Sequence, residues 1–571
     1  MSSILPTPPE QRWPSFRAIL ACSSVAAVAV AIDTYFNLQQ GYLSKPPDYD
    51  GVSYLIYARA PDLLLRGLHV RTALHELFTG ISPLWISVLT AQQLILGEGT
   101  WQAFSARFWA VAPLLVLVYW IVSRRATRSL AIAAVATTAV LPLVSAGVRA
   151  SSWEFLSGQA NYFEHWWLDD VRPDLLTIVL ILWSVAALAE HSQTPRRSAY
   201  VVSAAFAVAA VLAKTSTAPI VVMAWAVALG LNWLWNRNRE TTRMSLMAAI
   251  LLTVLLIPWA VFGGGALTVV TYLKTSVAFS SAYALPGGLS AGLTYFLVRI
   301  PTQLGQVESW VVVPGALIAA VALLRRRLGP AELTYAAIVL LFYFVFSLTP
   351  GKNPLVGMWI SLSIWTFFWA SVSRPATARW RERLQRASPA VLAAVGLYTL
   401  LVYSLGAFAL MNWPLNEVRA NAQLSAVTAG VAQELGRHMS AGQCFAYIPG
   451  PGWPNSISLL LMDANGNVPG STPTDIDPTT TTVDAYVAYA SRCEAVMAYR
   501  EDIARVAPVF FAPPVRQPYL RAVASWVRAP ASGFVLDRTW RFNDLPPSGP
   551  HPLGHYQGVS LTVDLYLRAG T

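Results

Sequence analysis

The sequence predicts a polytopic α-helical membrane protein that carries a separate α/β domain at its C-terminal end. Three observations carry that expectation. Apolar runs of about 17–22 residues recur through the first ~410 positions, each long enough to span a hydrocarbon core of about 30 Å. The 571-residue chain is 55% hydrophobic and 12% charged, with a mean hydropathy of +0.48, unlike an ordinary soluble domain. The third is where the net charge of +11 sits. Arginines cluster between apolar runs: Arg12 and Arg17; Arg124, Arg125 and Arg128; Arg196 and Arg197; Arg237, Arg239 and Arg243; Arg325, Arg326 and Arg327; and Arg374, Arg379, Arg381, Arg383 and Arg386. Short basic loops of this kind mark the cytoplasmic side of a multi-pass protein, so the charge does not call for nucleic acid.

The first apolar run, 17–33, lacks a small-residue cleavage site and reads as a retained first helix. The segment 81–97 decides the topology. At about 17 residues it is at the short limit for spanning, and Ser82, Ser87, Thr90, Gln92 and Gln93 dilute it. If it crossed, every later arginine cluster would fall outside. Lying flat, it leaves all six clusters cytoplasmic, as an interfacial helix would. Eleven spanning helices are then expected, near 17–33, 104–123, 129–148, 173–190, 199–214, 218–235, 246–262, 307–324, 332–349, 354–373 and 389–411. The N-terminus is cytoplasmic in this scheme. The loops 34–103, 149–172, 263–306 and 350–353 and a tight turn at 214–217 lie outside, and the first loop contains amphipathic stretches at 52–66 and 70–79.

The chain thus divides into a transmembrane unit, 1–411, and an extracytoplasmic domain, 412–571. The latter has a helical pattern over Asn416 to His438, a strand from Cys444, a Gly-rich turn at Pro449 to Trp453, a strand at Glu494 to Tyr499, and late antiparallel strands at 534–542 and 559–568. The turn lacks phosphate-loop spacing. Of three cysteines, Cys22 lies in the first apolar run; Cys444 and Cys493 share the C-terminal domain, as a disulfide pair or as two buried thiols.

The conspicuous polar residues all map to the outer rim. Asp48 and Asp50 open the first loop, in Pro47-Asp48-Tyr49-Asp50-Gly51-Val52-Ser53-Tyr54. Asp169, Asp170, Arg172 and Asp174 surround the start of the fourth span. Lys214 closes the fifth, Arg149 and Arg299 belong to outer loops, and Lys352 lies between the ninth and tenth spans. Each has a plain explanation. Asp50 beside Gly51 suits a loop, Pro173-Asp174 suits a helix N-terminus, and Lys214 can snorkel to headgroups. Acids at a membrane surface are nonetheless functional candidates by default. The histidines make no metal-ligand spacing, and Tyr162, Phe163, Trp166 and Trp167 suit an interfacial belt.

In order along the chain, these elements resemble the GT-C superfamily of polyprenyl-phosphate-sugar-dependent glycosyltransferases. The similarity is to the branch of protein O-mannosyltransferases and the lipid A aminoarabinose transferase. The residues that carry it are Asp50-Gly51-Val52-Ser53-Tyr54, Ser82-Pro83-Leu84-Trp85, Ser105-Ala106-Arg107-Phe108, Pro173-Asp174, Leu212-Ala213-Lys214-Thr215 and Lys352-Asn353-Pro354. Gly51, Ser82 and Thr215 depart from the family pattern, and the C-terminal domain lies outside it.

The resemblance implies an enzyme that moves a sugar from a polyprenyl-phosphate donor to a cell-envelope glycan, lipid or protein by inverting single displacement. Asp50 would be its general base. Asp174 and Asp48 would be further catalytic candidates, with Lys214, Lys352, Arg149 and Arg299 as donors to the leaving phosphate. Arg107 would fix the start of the second helix. The sequence requires no cofactor; a divalent ion between Asp50 and Asp174 is compatible with the superfamily, and a metal site is otherwise unknown. The implied location is a bacterial inner membrane, with the site facing outward. The rival is a lipid-linked-sugar flippase or other transporter. A transporter would place polar groups near the midplane, whereas here the helix centres are expected to be almost free of charge.

Overall fold

A computed structural model describes residues 13–44, 50–79, 81–150, 171–278, 288–325, 329–349, 356–374, 378–413, 415–439, 443–447, 460–462, 470–471, 482–501, 517–545 and 559–569. All eleven expected spans carry helix. Among the described residues, seven helices are long and apolar enough to cross a membrane: Phe16–Gln39, Thr100–Ser123, Thr215–Asn236, Arg239–Phe262, Gln306–Leu324, Pro330–Leu348 and Arg386–Met411. Shorter apolar helices cover Arg128–Ala139, Asp174–Ala189, Arg197–Ala213 and Gly357–Val372.

In chain order the first helices are α1 (Phe16–Gln39), α2 (Asp50–Arg66), α3 (Val70–Thr79), α4 (Pro83–Leu96), α5 (Thr100–Ser105), α6 (Phe108–Ser123), α7 (Arg128–Ala139) and α8 (Ala146–Ala150). There follow α9 (Asp174–Ala189), α10 (Arg197–Ala213), α11 (Ala218–Asn236), α12 (Arg239–Phe262), α13 (Gly265–Ala278), α14 (Gly288–Leu297) and α15 (Ile300–Leu304). The last of the bundle are α16 (Gln306–Leu324), α17 (Pro330–Leu348), α18 (Gly357–Val372) and α19 (Ala378–Met411). One apolar core runs through the bundle, with Trp85, Trp120, Trp359 and Trp365 among its largest fully buried side chains.

Three expectations need correction. The run 129–148 is not one helix: α7 ends at Ala139, and Pro142, which has no N–H to donate, sits in the turn before α8. The first helix does not stop at residue 33 but continues to Gln39, which puts Asp33 inside it. The outer loop 263–306 folds into the helices α13, α14 and α15.

The bundle has two chemically different ends. α6 and α9 pack together and run in the same direction. At their C-terminal ends Arg125 joins Glu190 (2.5 Å) to Glu332 (2.6 Å) and donates to the Ala370 carbonyl, while Arg374 also reaches Glu332 (2.5 Å). Glu332 is fully buried, and the Tyr335 hydroxyl donates to Glu190 (3.0 Å). A stack of Trp13, Trp120 and Trp183 closes this end. His191 lies against it, its imidazole pushed down to about 4 by burial and by Arg124, and is therefore neutral. The opposite end holds the starts of α6 and α9, about 24 Å away along a 16-residue helix.

α4 lies across that opposite end. Its 14 residues reach only about 21 Å, short of a hydrocarbon core. Its first turn bonds to Val171 at the start of α9, and near its last turn Gln92 donates to Ser105 (2.7 Å), just before α6. Both termini therefore sit at one level, as the flat reading of 81–97 requires.

The C-terminal part has its own apolar core. Helix α20 (Leu415–His438) leads into β1 (Cys444–Tyr447), β2 (Gly470–Ser471), α21 (Val483–Ala490), β3 (Ala495–Tyr499), α22 (Gln517–Arg528), β4 (Phe534–Leu545) and β5 (Val559–Arg568). The sheet order is β2-β1-β3-β5-β4, parallel among the first three strands and antiparallel for β3–β5 and β5–β4. The late hairpin is the one expected from the alternating pattern. Cys444 and Cys493 form a disulfide, closing a 49-residue separation and contributing about 4 kcal/mol in the chain-entropy account. The Gly-rich turn at Pro449 to Trp453 lies outside the described residues.

Candidate active site at one end of the bundle

The site forms where two helices begin and end. Pro173 fixes the backbone ahead of α9 and has no N–H to leave unsatisfied, so Asp174 occupies the first helical position. Its carboxylate meets the positive end of the helix dipole. α10 ends at Ala213. Lys214 is extended (φ −145°, ψ 97°), and a single 3-10 turn, Thr215–Thr217, carries the chain into α11. That break turns the ammonium back toward α9. Lys214 Nζ donates to both Asp174 oxygens, at 2.6 and 2.7 Å. The Asp174 side chain is 2% exposed and that of Lys214 18%, so the pair lies under the surface but open on the cation's side.

α4 covers this pair. The indole N–H of Trp85 donates to the Val171 carbonyl (2.8 Å), and the Thr215 hydroxyl donates to the Ile81 carbonyl. α2 is fixed to α4 in turn: Thr90 donates to the Ala58 carbonyl (3.0 Å), and Arg66, paired with the buried Asp62, donates to the Gln93 carbonyl (3.0 Å). Asp50 is the first residue of α2. The helix that begins with Asp50 and the turn that carries Lys214 are thus attached to the same flat element.

Other sequence candidates fall elsewhere. Arg149, on α8, is 4% exposed and bonds to Glu308 (3.1 Å) and the Tyr398 hydroxyl (2.8 Å), joining α8, α16 and α19. Arg299 lies over the Tyr295 ring (3.7 Å) and donates to the Tyr295 carbonyl (3.0 Å). Asp48, Asp169, Asp170, Lys352 and the aromatic run Tyr162 to Trp167 lie outside the described residues. Arg107 does fix the start of α6: it donates to Asp33 (3.1 Å) and to the Leu143 carbonyl (3.0 Å).

Asp33 was missing from the sequence reading. Its carboxylate, 1% exposed, also accepts from the Gly147 amide (2.8 Å), and a Cβ on Gly147 would meet Asn37 Nδ2 at 2.4 Å. The buried acids sit toward helix ends and not at the helix centres, with Glu308 and Glu332 in first turns and Asp33 in the last two turns of α1. Asp33, Glu308 and Glu332 lie within α1, α16 and α17, each with an arginine partner.

As arranged, each Asp174 oxygen accepts one bond from Lys214. Among the described residues, one trio could surround an ion: Glu434 and His438, one turn apart on α20, and Asp537 on β4. Glu434 already accepts from Arg538 (2.6 Å) and Arg437 (3.0 Å), so the trio reads as a charge network joining α20 to β4.

No protein-family model matches the sequence, and no curated protein matches it. Solved structures do. The crystal structure of ArnT from Cupriavidus metallidurans bound to undecaprenyl phosphate aligns with a TM-score of 0.51 at 14% identity, over 87% of this chain and 95% of that one. An oligosaccharyltransferase of Archaeoglobus fulgidus tethered to an acceptor peptide aligns with a TM-score of 0.48 at 11% identity, over 89% and 72%. At such identity the likeness is one of fold.

Proposed function

From the premise that the chain has the GT-C fold, we propose that it transfers a sugar from a polyprenyl-phosphate donor to a cell-envelope glycan, lipid or protein. The observation that carries this reading is the Asp174–Lys214 pair under a flat helix, at the end of the bundle where the helix headed by Asp50 is attached. A half-open ammonium at that level suits a lipid phosphate, whose negative charge grows as the bond to the sugar breaks. The ArnT structure holds undecaprenyl phosphate, a lipid phosphate of this class.

In this mechanism Asp50 accepts the proton of the acceptor hydroxyl. The freed oxygen attacks the anomeric carbon opposite the phosphate, the bond between that carbon and the phosphate oxygen breaks, and polyprenyl phosphate leaves with the electron pair. The sugar is inverted. Lys214 donates to the departing phosphate. Asp174 holds the ammonium in place through both of its oxygens. Asp50→Asn preserves shape but removes the base. It is expected to lower turnover by at least about 10²-fold, with donor affinity little changed. The assay is single-turnover transfer by purified protein against a panel of polyprenyl-phosphate sugars, and near-normal turnover in Asp50→Asn would move the base elsewhere.

The proposed location is a bacterial inner membrane, with this site and the C-terminal domain outside. The Cys444–Cys493 disulfide supports an oxidising compartment for that domain. Arg124, Arg125 and Arg374, from two of the arginine clusters, meet at the other end. A cysteine replacing the exposed Arg197, in a Cys22→Ala background, is expected to resist a membrane-impermeant maleimide in spheroplasts and to react after lysis. Labelling before lysis would invert the topology.

A further inference from the structure

Each member of the Asp174–Lys214 pair is tied to α4 through a near neighbour in sequence. Val171, three residues before Asp174, accepts the Trp85 indole N–H, and Thr215, next to Lys214, donates to Ile81. Ile81 lies two residues before α4 and Trp85 in its first turn, so both ties leave the same end of α4. Trp85 and Thr215 are each 1% exposed. A buried indole N–H or hydroxyl without a partner costs free energy, so both bonds are held firmly. Lys214 keeps one helical bond, from its N–H to the Ala210 carbonyl (3.2 Å), and its backbone then turns extended, out of the helical path.

We infer that Trp85 and Thr215 are positioning residues: they lock the acid and the ammonium to α4, so that the flat helix sets the separation and direction of the pair. The idea deepens the reading of the site as a lipid-phosphate site and rests on it for its purpose, though not for its test. Neither residue touches the reacting atoms. Whatever shifts α4 along the membrane surface would shift both charges.

The chain has only four lysines, at 45, 214, 274 and 352, so the reactivity of Lys214 can be read cleanly. An amine nitrogen that donates to both oxygens of one carboxylate must break those bonds before it can attack, so it reacts slowly with an acylating reagent. Full-length protein in nanodiscs would be acetylated with limiting acetic anhydride and Lys214 quantified by mass spectrometry, with exposed Lys274 as the internal control. Asp174→Asn sets the upper limit of reactivity. Thr215→Val and Trp85→Phe, which keep shape and remove one donor each, are expected to raise the Lys214 rate about 3- to 10-fold. Thr215→Ser should restore the wild-type rate, with melting temperatures matched across the set.

Wild-type rates in both Thr215→Val and Trp85→Phe, against a fast Asp174→Asn, would overturn the inference. In parallel, binding of undecaprenyl phosphate to wild type and Lys214→Met tests the site reading. Equal binding by those two would refute the phosphate role of Lys214 and leave the labelling result standing by itself.

Discussion

Lys214→Met is expected to abolish transfer and also to lower the melting temperature, and the two losses have separate causes. Removing the ammonium strands Asp174, 1% exposed, without its counter-charge. Breaking one side of a buried pair costs about 3–5 kcal/mol, chiefly for the charge left behind. Transfer fails because the leaving phosphate loses its cation. The double variant Lys214→Met/Asp174→Asn separates the effects. With no stranded carboxylate, its melting temperature should recover most of the way while transfer stays absent. Lys214→Arg should be stable and partly active, since the charge survives in a different geometry. Melting and single-turnover rates on matched preparations decide the matter; a stable double variant with wild-type transfer would remove the pair from the chemistry.

The other large effect is expected at the far end. Arg125→Met deletes the donor shared by Glu190 and Glu332, of which the second is fully buried. Burial alone would disfavour a charged Arg125, but the two carboxylates raise its pKa, which is why it stays ionised there. Without it, Glu332 keeps Arg374, while Glu190 keeps the Tyr335 hydroxyl but no cation closer than Arg124 at 4.0 Å. A loss of at least about 3–5 kcal/mol is expected, visible as poor recovery from the membrane or a much lower melting temperature. Adding Glu190→Gln should recover part of it. An unchanged melting temperature in Arg125→Met would show that the network contributes nothing to the fold.

The bundle was legible because long apolar runs and arginine clusters are local signals. α9, α10 and α11 follow the expected spans within a few residues, while α12 begins at Arg239, about two turns before the expected 246. The flat α4 was legible from the same signals, since only one placement of 81–97 puts the clusters on one side. Pairings were not legible. Asp33 and Arg107 are 74 residues apart and Arg149 and Glu308 are 159 apart, and nothing local announces either partner. Asp33 was hidden further because polarity was taken to end the first run, although the helical pattern continues to Gln39. Asp174 and Lys214 were both singled out, but the sequence left open whether the lysine would reach lipid, phosphate or acid. One signal was overlooked: all four lysines fall in the segments assigned to one side, whereas the clusters on the other side are arginine alone.

The Arg125 network ties the loop after α6, the C-terminus of α9, the start of α17 and the end of α18 into one knot. Helices knotted at one extremity behave like the tines of a fork: they can splay only at their free tips. The other tips lie beneath α4, where Asp174 and Lys214 sit and single hydrogen bonds to Ile81 and from Trp85 join the chain to α4. Any widening between these helices is therefore easier at the Asp174–Lys214 end than at the Arg125 end. The bundle is stiff at one end and yielding at the other.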